Sequence, residues 1–156
     1  MKRAFLLFGF LCAWLFSMAA EQNTTVLQLD MEKETFLSIL GEPKKISVRE
    51  HPINSDWDLL GYVYDGLEIY FYRIVNSVEI LYVYSNTYEI QIDRAKIHCG
   101  ESKKEIENKL GAGVYDRTDK TGNTRIYYYE LQDLRNLIIS YNTENIAVNI
   151  FYGYVY

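Results

Sequence analysis

The 156-residue chain holds only 2 histidines, 2 cysteines, 2 prolines and 2 tryptophans. So few His and Cys leave no material for a clustered metal site or a disulfide framework, and two prolines exclude a proline-rich linker. Positive charge is also scarce, with 16 Lys and Arg against 21 Asp and Glu and a formal charge of −5. Without a basic field to meet phosphates, nucleic acid is excluded as the expected partner. What the chain has in excess is tyrosine, 15 residues in a length that suits one domain.

Residues 1–20 read as a secretory signal peptide. Lys2 and Arg3 form a positive start, Ala4 to Phe16 is almost wholly apolar, and Ser17-Met18-Ala19-Ala20 supplies small residues before polar Glu21-Gln22. Cleavage is expected after Ala19 or Ala20, which places the chain in the periplasm or outside the cell. The apolar run falls short of the roughly 20 residues that span a bilayer. Lipidation at Cys12 would instead tie the chain to a membrane, but Leu11 stands where a lipoprotein signal has a small residue. Residues 21–156 carry a charge of −7 and one cysteine, Cys99, which is expected to be buried behind the apolar Ile97.

Residues 21–156 are expected to form a single α+β domain made of two similar halves, about 26–95 and 96–156. Asp30 to Gly41 and Ser102 to Gly111 are short helical patterns ended by Leu-Gly, with Asp30 as N-cap of the first. Ser102 and Glu105 form a capping box for the second. Each is followed by strands: Lys45–His51, Gly61–Tyr64, Leu67–Val75, Val78–Tyr84 and Tyr88–Ile92, then Ile126–Leu131, Leu137–Tyr141 and Ile146–Tyr152. The Leu-Gly pairs are 70 residues apart. The expected architecture is therefore two tandem units, each a short helix and an antiparallel β-meander, with helices packed on one face of the sheet.

The quoted features, namely Leu40-Gly41 with Pro43 and Ser102, Glu105 and Leu110-Gly111, resemble the beta-lactamase-inhibitor-protein-like fold and the BamE (SmpA/OmlA) type of small outer-membrane lipoprotein. That resemblance implies a duplicated helix-plus-sheet fold and a non-enzymatic role in the cell envelope. The inhibitor's disulfides have no counterpart in a chain left with Cys99 alone.

Hairpin register turns the strand pattern into two faces. Asp65-Gly66 is a two-residue turn that sets Tyr64 opposite Leu67. A tight turn at Asn76-Ser77 would set Phe71 opposite Tyr82 and Ile69 opposite Tyr84, and a turn at Ser85–Thr87 would pair Tyr84 with Tyr88. On this reading Tyr62, Tyr64, Ile69, Phe71, Tyr82, Tyr84 and Ile90 line the core. The far face collects Tyr70, Tyr72, Leu81 and Val83, joined by Ile138 and Phe151 from the second half. Trp57, in the polar stretch Glu50–Leu59, either anchors a partner or folds back on the core.

The search for chemistry returns little. His98 and Cys99 are adjacent and point to opposite sides of an extended strand, which separates them as a nucleophile and base. No glycine loop opens a helix, and no carboxylate pair stands in a distinctive setting. Asp116–Asn123 superficially resembles a calcium loop, but Arg117 and Lys120 favour a plain polar loop. No catalytic residue, metal ligand or cofactor is expected. The expected function is binding of a protein partner through the tyrosine-rich sheet face, by residues Tyr70, Tyr72, Leu81, Val83, Ile138, Phe151 and Trp57. The alternatives are a structural or assembly accessory of the cell envelope, and a small hydrolase.

Overall fold

In the computed structural model, residues 24–131 and 134–154 are described. The signal peptide and Cys12 lie outside the described residues. Eleven strands follow in the order β1 (Thr25–Leu27), β2 (Lys45–Arg49), β3 (Leu59–Tyr64), β4 (Leu67–Tyr72), β5 (Ile80–Val83), β6 (Tyr88–Ile92), β7 (Ala95–His98), β8 (Val114–Thr118), β9 (Arg125–Glu130), β10 (Arg135–Tyr141) and β11 (Ala147–Tyr154). Two eight-residue helices, α1 (Lys33–Leu40) and α2 (Lys103–Leu110), and a 3-10 turn at Ser55–Trp57 complete the described elements.

This corrects the expected α+β class of two tandem helix-plus-meander units. The chain is mostly β. Eight strands form one sheet in the order β2-β3-β4-β5-β11-β10-β9-β8, and β1, β6 and β7 form a second sheet. The expected Tyr84–Tyr88 hairpin does not exist, because β6 leaves the large sheet to pair in parallel with β1 and antiparallel with β7. Val114–Thr118 is a strand, so the expected polar loop Asp116–Asn123 is strand up to Thr118. The Asp119 carboxylate then organises the turn by accepting from the Thr121 hydroxyl and from the amides of Asn123 and Thr124.

One hydrophobic cluster joins the two sheets. Leu67, Ile69, Leu81, Val83, Leu137, Ile139 and Ile150 come from the large sheet, and Leu27, Ile90, Ile92 and Ile97 from the small one. The helices add one fully packed side chain each, Phe36 and Ile106. Helices this short hold their shape through such docking. Cys99 is buried as expected, and its thiol donates to the Val83 carbonyl at 3.2 Å.

The helix starts differ from each other. Ser102 and Glu105 make the expected capping box on α2. Asp30, however, does not cap α1. The N-cap is Glu32, which makes no side-chain cap bond, and Asp30 sits two residues earlier with φ of 64°. There its carboxylate accepts from the Tyr154 hydroxyl at 3.2 Å.

Chain around α1 also sets the register of the large sheet. The Asn76-Ser77 segment is not a tight turn. The Asn76 carbonyl accepts the Lys33 amide at 2.9 Å, the Val78 carbonyl accepts the Asp30 amide at 3.0 Å, and the Val78 amide donates to the Met31 carbonyl at 3.0 Å. Residues 73–79 are drawn into a long connection along the start of α1, so β4 stops at Tyr72 and β5 begins at Ile80. Ile69 consequently faces Leu81 and Leu67 faces Val83. The register is three residues from the one a tight turn would give, and an odd shift inverts the strand.

Candidate functional site

The inversion decides which side chains form the outer face of the large sheet. A continuous row crosses the strands: Lys45, Val63, Glu68, Tyr82, Phe151, Ile138, Tyr128 and Val114 are successive partners. The next row holds Ser47, Gly61, Tyr70, Ile80 and Gly153. Tyr70, Tyr72, Ile138 and Phe151 are thus on the outer face, as the sequence pattern expects. Leu81 and Val83 are not, for both have no exposed surface and belong to the core. Ile80 and Tyr82 take their places.

These rings form a connected set. Tyr82 is the hub, with Tyr70 at 5.7 Å, Phe151 at 5.0 Å and Tyr84 at 6.5 Å between centroids. The first two contacts are edge-to-face, the arrangement that ring quadrupoles favour. Tyr70 lies across Gly61, where a Cβ would come within 2.6 Å of its ring. The absent side chain is what lets the ring lie against the sheet. Its hydroxyl donates to Glu68 Oε2 at 2.5 Å. Burial, then that carboxylate, push the Tyr70 phenol well above its ordinary value, and burial raises that of Tyr84. Of the two hydroxyls, that of Tyr70 is the one seen to donate, to Glu68.

At one end of this face a loop brings in Trp57. Asp58 fastens it: the buried carboxylate accepts the His51 amide at 2.9 Å and the Arg73 guanidinium at 3.0 Å. The backbone adds Arg73 N–H to the Asp58 carbonyl and Ile74 N–H to the Asp56 carbonyl, each at 2.9 Å. His51 Nδ1 accepts the amides of Ile53 and Asn54 at 3.4 and 3.3 Å, which ties the imidazole to the same loop. Held this way, Trp57 meets Tyr72 edge-on at 5.7 Å and 72° while 46% of its surface stays exposed. The two rings, with His51, Val75 and the buried Glu79, line a cleft of about 500 Å³. Ligand sites commonly fall in this size range.

Sequence reasoning missed Ile80, Tyr82 and Tyr84, which it assigned to the core face. One signal was available in Ile80-Leu81-Tyr82-Val83. Leu81 and Val83, aliphatic at alternate positions, suit a dry core better than Tyr82 and Tyr84 between and after them.

Titratable groups elsewhere serve the fold. Glu101, buried at the start of α2, accepts from Lys109 at 2.5 Å and from the His98 amide at 3.0 Å, and its carboxylate is 3.3 Å from the His98 ring. The other ring nitrogen of His98 contacts the Cys99 carbonyl at 2.7 Å, so imidazole and thiol do not meet. Burial pushes the Cys99 thiol up to about 12, which makes it a poor nucleophile. Among the described residues no group of three or more His, Cys, Asp or Glu could hold a metal ion. No described helix is long and apolar enough to cross a membrane.

No family model matches the chain, and no curated protein does. Solved structures overlap it in part. An extracellular protein containing an SCP domain from Bacillus anthracis str. Ames is 13% identical, with a TM-score of 0.44, covering 80% of this chain and 43% of that one. A DUF4309 family protein from Bacillus subtilis subsp. subtilis str. 168 is 14% identical, with a TM-score of 0.43, covering 80% and 78%. A cysteine-rich secretory protein from Staphylococcus aureus subsp. aureus Mu50 is 7% identical, with a TM-score of 0.45, covering 81% and 44%. The chain thus spans less than half the length of the first and third of these proteins.

Proposed function

We propose that this chain is an exported, non-enzymatic binding protein that docks a protein partner on the outer face of its large sheet. The observation that carries this reading is the ring cluster of Tyr70, Tyr82, Tyr84 and Phe151. It occupies the face opposite the core, where a solvated antiparallel sheet is ordinarily polar. Tyrosine suits such a surface, since it offers a large rigid area with few rotors and a hydrogen-bonding tip. Glu68 and Glu130 bring acidic groups to the same face, which favours a partner with complementary charge. Export rests on the layout of residues 1–20, with cleavage after Ala19 or Ala20.

Affinity capture from the source organism's exported fraction tests the reading, comparing the unmodified chain with a Tyr70→Ala/Tyr82→Ala variant. The variant should lose the partner while keeping its thermal midpoint within a few degrees. Equal recovery by both proteins would overturn the sheet-face reading.

A further inference from the structure

We propose that the free edge of β2 receives an extended segment of another protein as a ninth strand, apolar at alternate positions and acidic where it meets Lys45 and Arg49. Among the described residues no strand lies beyond β2, the end strand of the large sheet. Exposed edges are ordinarily blunted by short length, bulges or charge. β1 and β7, the edges of the small sheet, span only three and four residues. β8, the other end of the large sheet, breaks register between Tyr115 and Arg117, where Asp116 and Arg117 pair at 2.6 Å. β2 carries no such break, for its five residues pair with β3 in continuous register.

The chemistry of the occupant follows from the two faces of β2. Ile46 and Val48 lie opposite Tyr62 and Leu60, whose own partners Ile69 and Phe71 belong to the core, so they share the core side of the sheet. α1 covers the strands beside β2, with Lys33 Nζ 5.5 Å from the Tyr62 ring centroid and 5.3 Å from that of Phe71. Ile46 and Val48 nevertheless stay 55% and 50% exposed, and aliphatic side chains on an added strand would meet them both. Lys45, Ser47 and Arg49 take the outer face, and Glu50 lies past the paired residues. Lys44 is held by Asp65, whereas Lys45 and Arg49 form no ion pair among the described residues. Carboxylates opposite Lys45 and Arg49 would complete two cross-strand pairs. The same cations disfavour a second copy of this chain. Full antiparallel overlap of two β2 strands would set Lys45 opposite Arg49 at both ends, and like charges directly opposite repel. This edge is a surface distinct from the ring cluster and does not depend on it.

The probe is the peptide acetyl-Ser-Glu-Val-Thr-Val-Glu-Ser-amide, titrated into the isotope-labelled chain and followed by the amide resonances. Its symmetric pattern presents acidic, apolar, polar, apolar and acidic residues to β2 in either direction. It should bind saturably and shift the amides of residues 45–49 more than those of β8. It should also bind about tenfold more tightly at low salt than the counterpart with Lys in place of both Glu. Lys45→Glu/Arg49→Glu, at two exposed positions, should reverse that preference. Two further acidic peptides, N-methylated at odd or at even residues, each lose the donors along one edge. One of them should lose binding and the other keep it, and because both act on the unmodified chain this arm does not depend on how the double variant folds. Equal binding of the acidic and lysine peptides, an equal effect of the two methylation patterns, or saturation by none would overturn the proposal. Dimerisation that shifts the same amides without any peptide would overturn it in favour of a second copy. Partner capture by Tyr70→Ala/Tyr82→Ala is a separate readout, so failure of the edge and failure of the sheet face are distinguishable.

Discussion

Ile69 on β4 stands directly opposite Leu81 on β5, and both are buried beneath the large sheet. That pairing places Tyr82 on the outer face and makes neighbouring residues differ sharply in what they contribute. Leu81→Ala should destabilise the fold by about 2–5 kcal/mol through lost burial and a residual cavity. Tyr82→Ala, on the open face, should cost clearly less. Urea unfolding of both variants decides the matter, and equal losses would contradict the register.

Gly153 on β11 lies against β5, where an added Cβ would approach the Glu79 carbonyl to 2.9 Å and the Ile80 Cα to 3.0 Å. Both obstacles are backbone and cannot rotate away. Gly153→Ala should therefore push the two central strands apart, at a cost of about 1–3 kcal/mol. Hydrogen exchange at the Ile80–Val83 amides should accelerate in this variant more than exchange in the β6–β7 pair.

Asp58→Ala should free the loop that carries Trp57. The lost bonds to the His51 amide and the Arg73 guanidinium are charge-assisted and together stabilise by a few kcal/mol, about 1.5–3 for each such bond. In a Trp14→Phe background, where Trp57 is the one remaining tryptophan, its emission should shift to the red and become easier to quench with acrylamide. An unchanged spectrum would show that the loop is held by its backbone contacts alone.

Alkaline conditions should weaken the fold, and Cys99 gives the first part of the effect. Its thiol is raised from 9.0 to about 12 by burial in the folded chain. Below pH 9 both states keep the proton and the pairing is fully stabilising. Between about 9 and 12 only the unfolded chain loses it, so stability falls with rising pH, by at most about 1.4 kcal/mol per pH unit from this group. Tyr64, raised by burial to about 12, acts in the same direction from pH 10 upward. Urea midpoints at pH 8, 9.5 and 10.5 should decline, and Cys99→Ala should flatten the first interval. Ellman's reagent at pH 8 should leave Cys99 unmodified until urea is added.

Much of the strand pattern was legible in the sequence because period-2 alternation and the Asp65-Gly66 turn are local signals. The Ser102–Glu105 capping box was legible for the same reason. What the sequence hid was long-range. Residues 73–79 look like a tight hairpin until the chain from Asp30 to Lys33, at the start of α1, is seen to claim Asn76 and Val78 through backbone bonds. That claim shifts β5 by three residues and exchanges Leu81 and Val83 for Ile80 and Tyr82 on the outer face. The second sheet was hidden too, since Thr25–Leu27 and Ala95–His98 are too short to show a period. Tyr70, Tyr72, Ile138 and Phe151 were placed rightly because their register depends on turns or strand matches that no distant segment disturbs.

The pairing of β5 with β11 has a consequence for how the chain comes into being. Ile80 waits for Gly153, so four early strands must stand with an open edge until residues 147–154 have been made. An unpaired central edge is a template for wrong partners. The large sheet can close only after nearly the whole described chain has left the ribosome or the export channel, and a chain arrested short of Ala147 would have no centre to fold around.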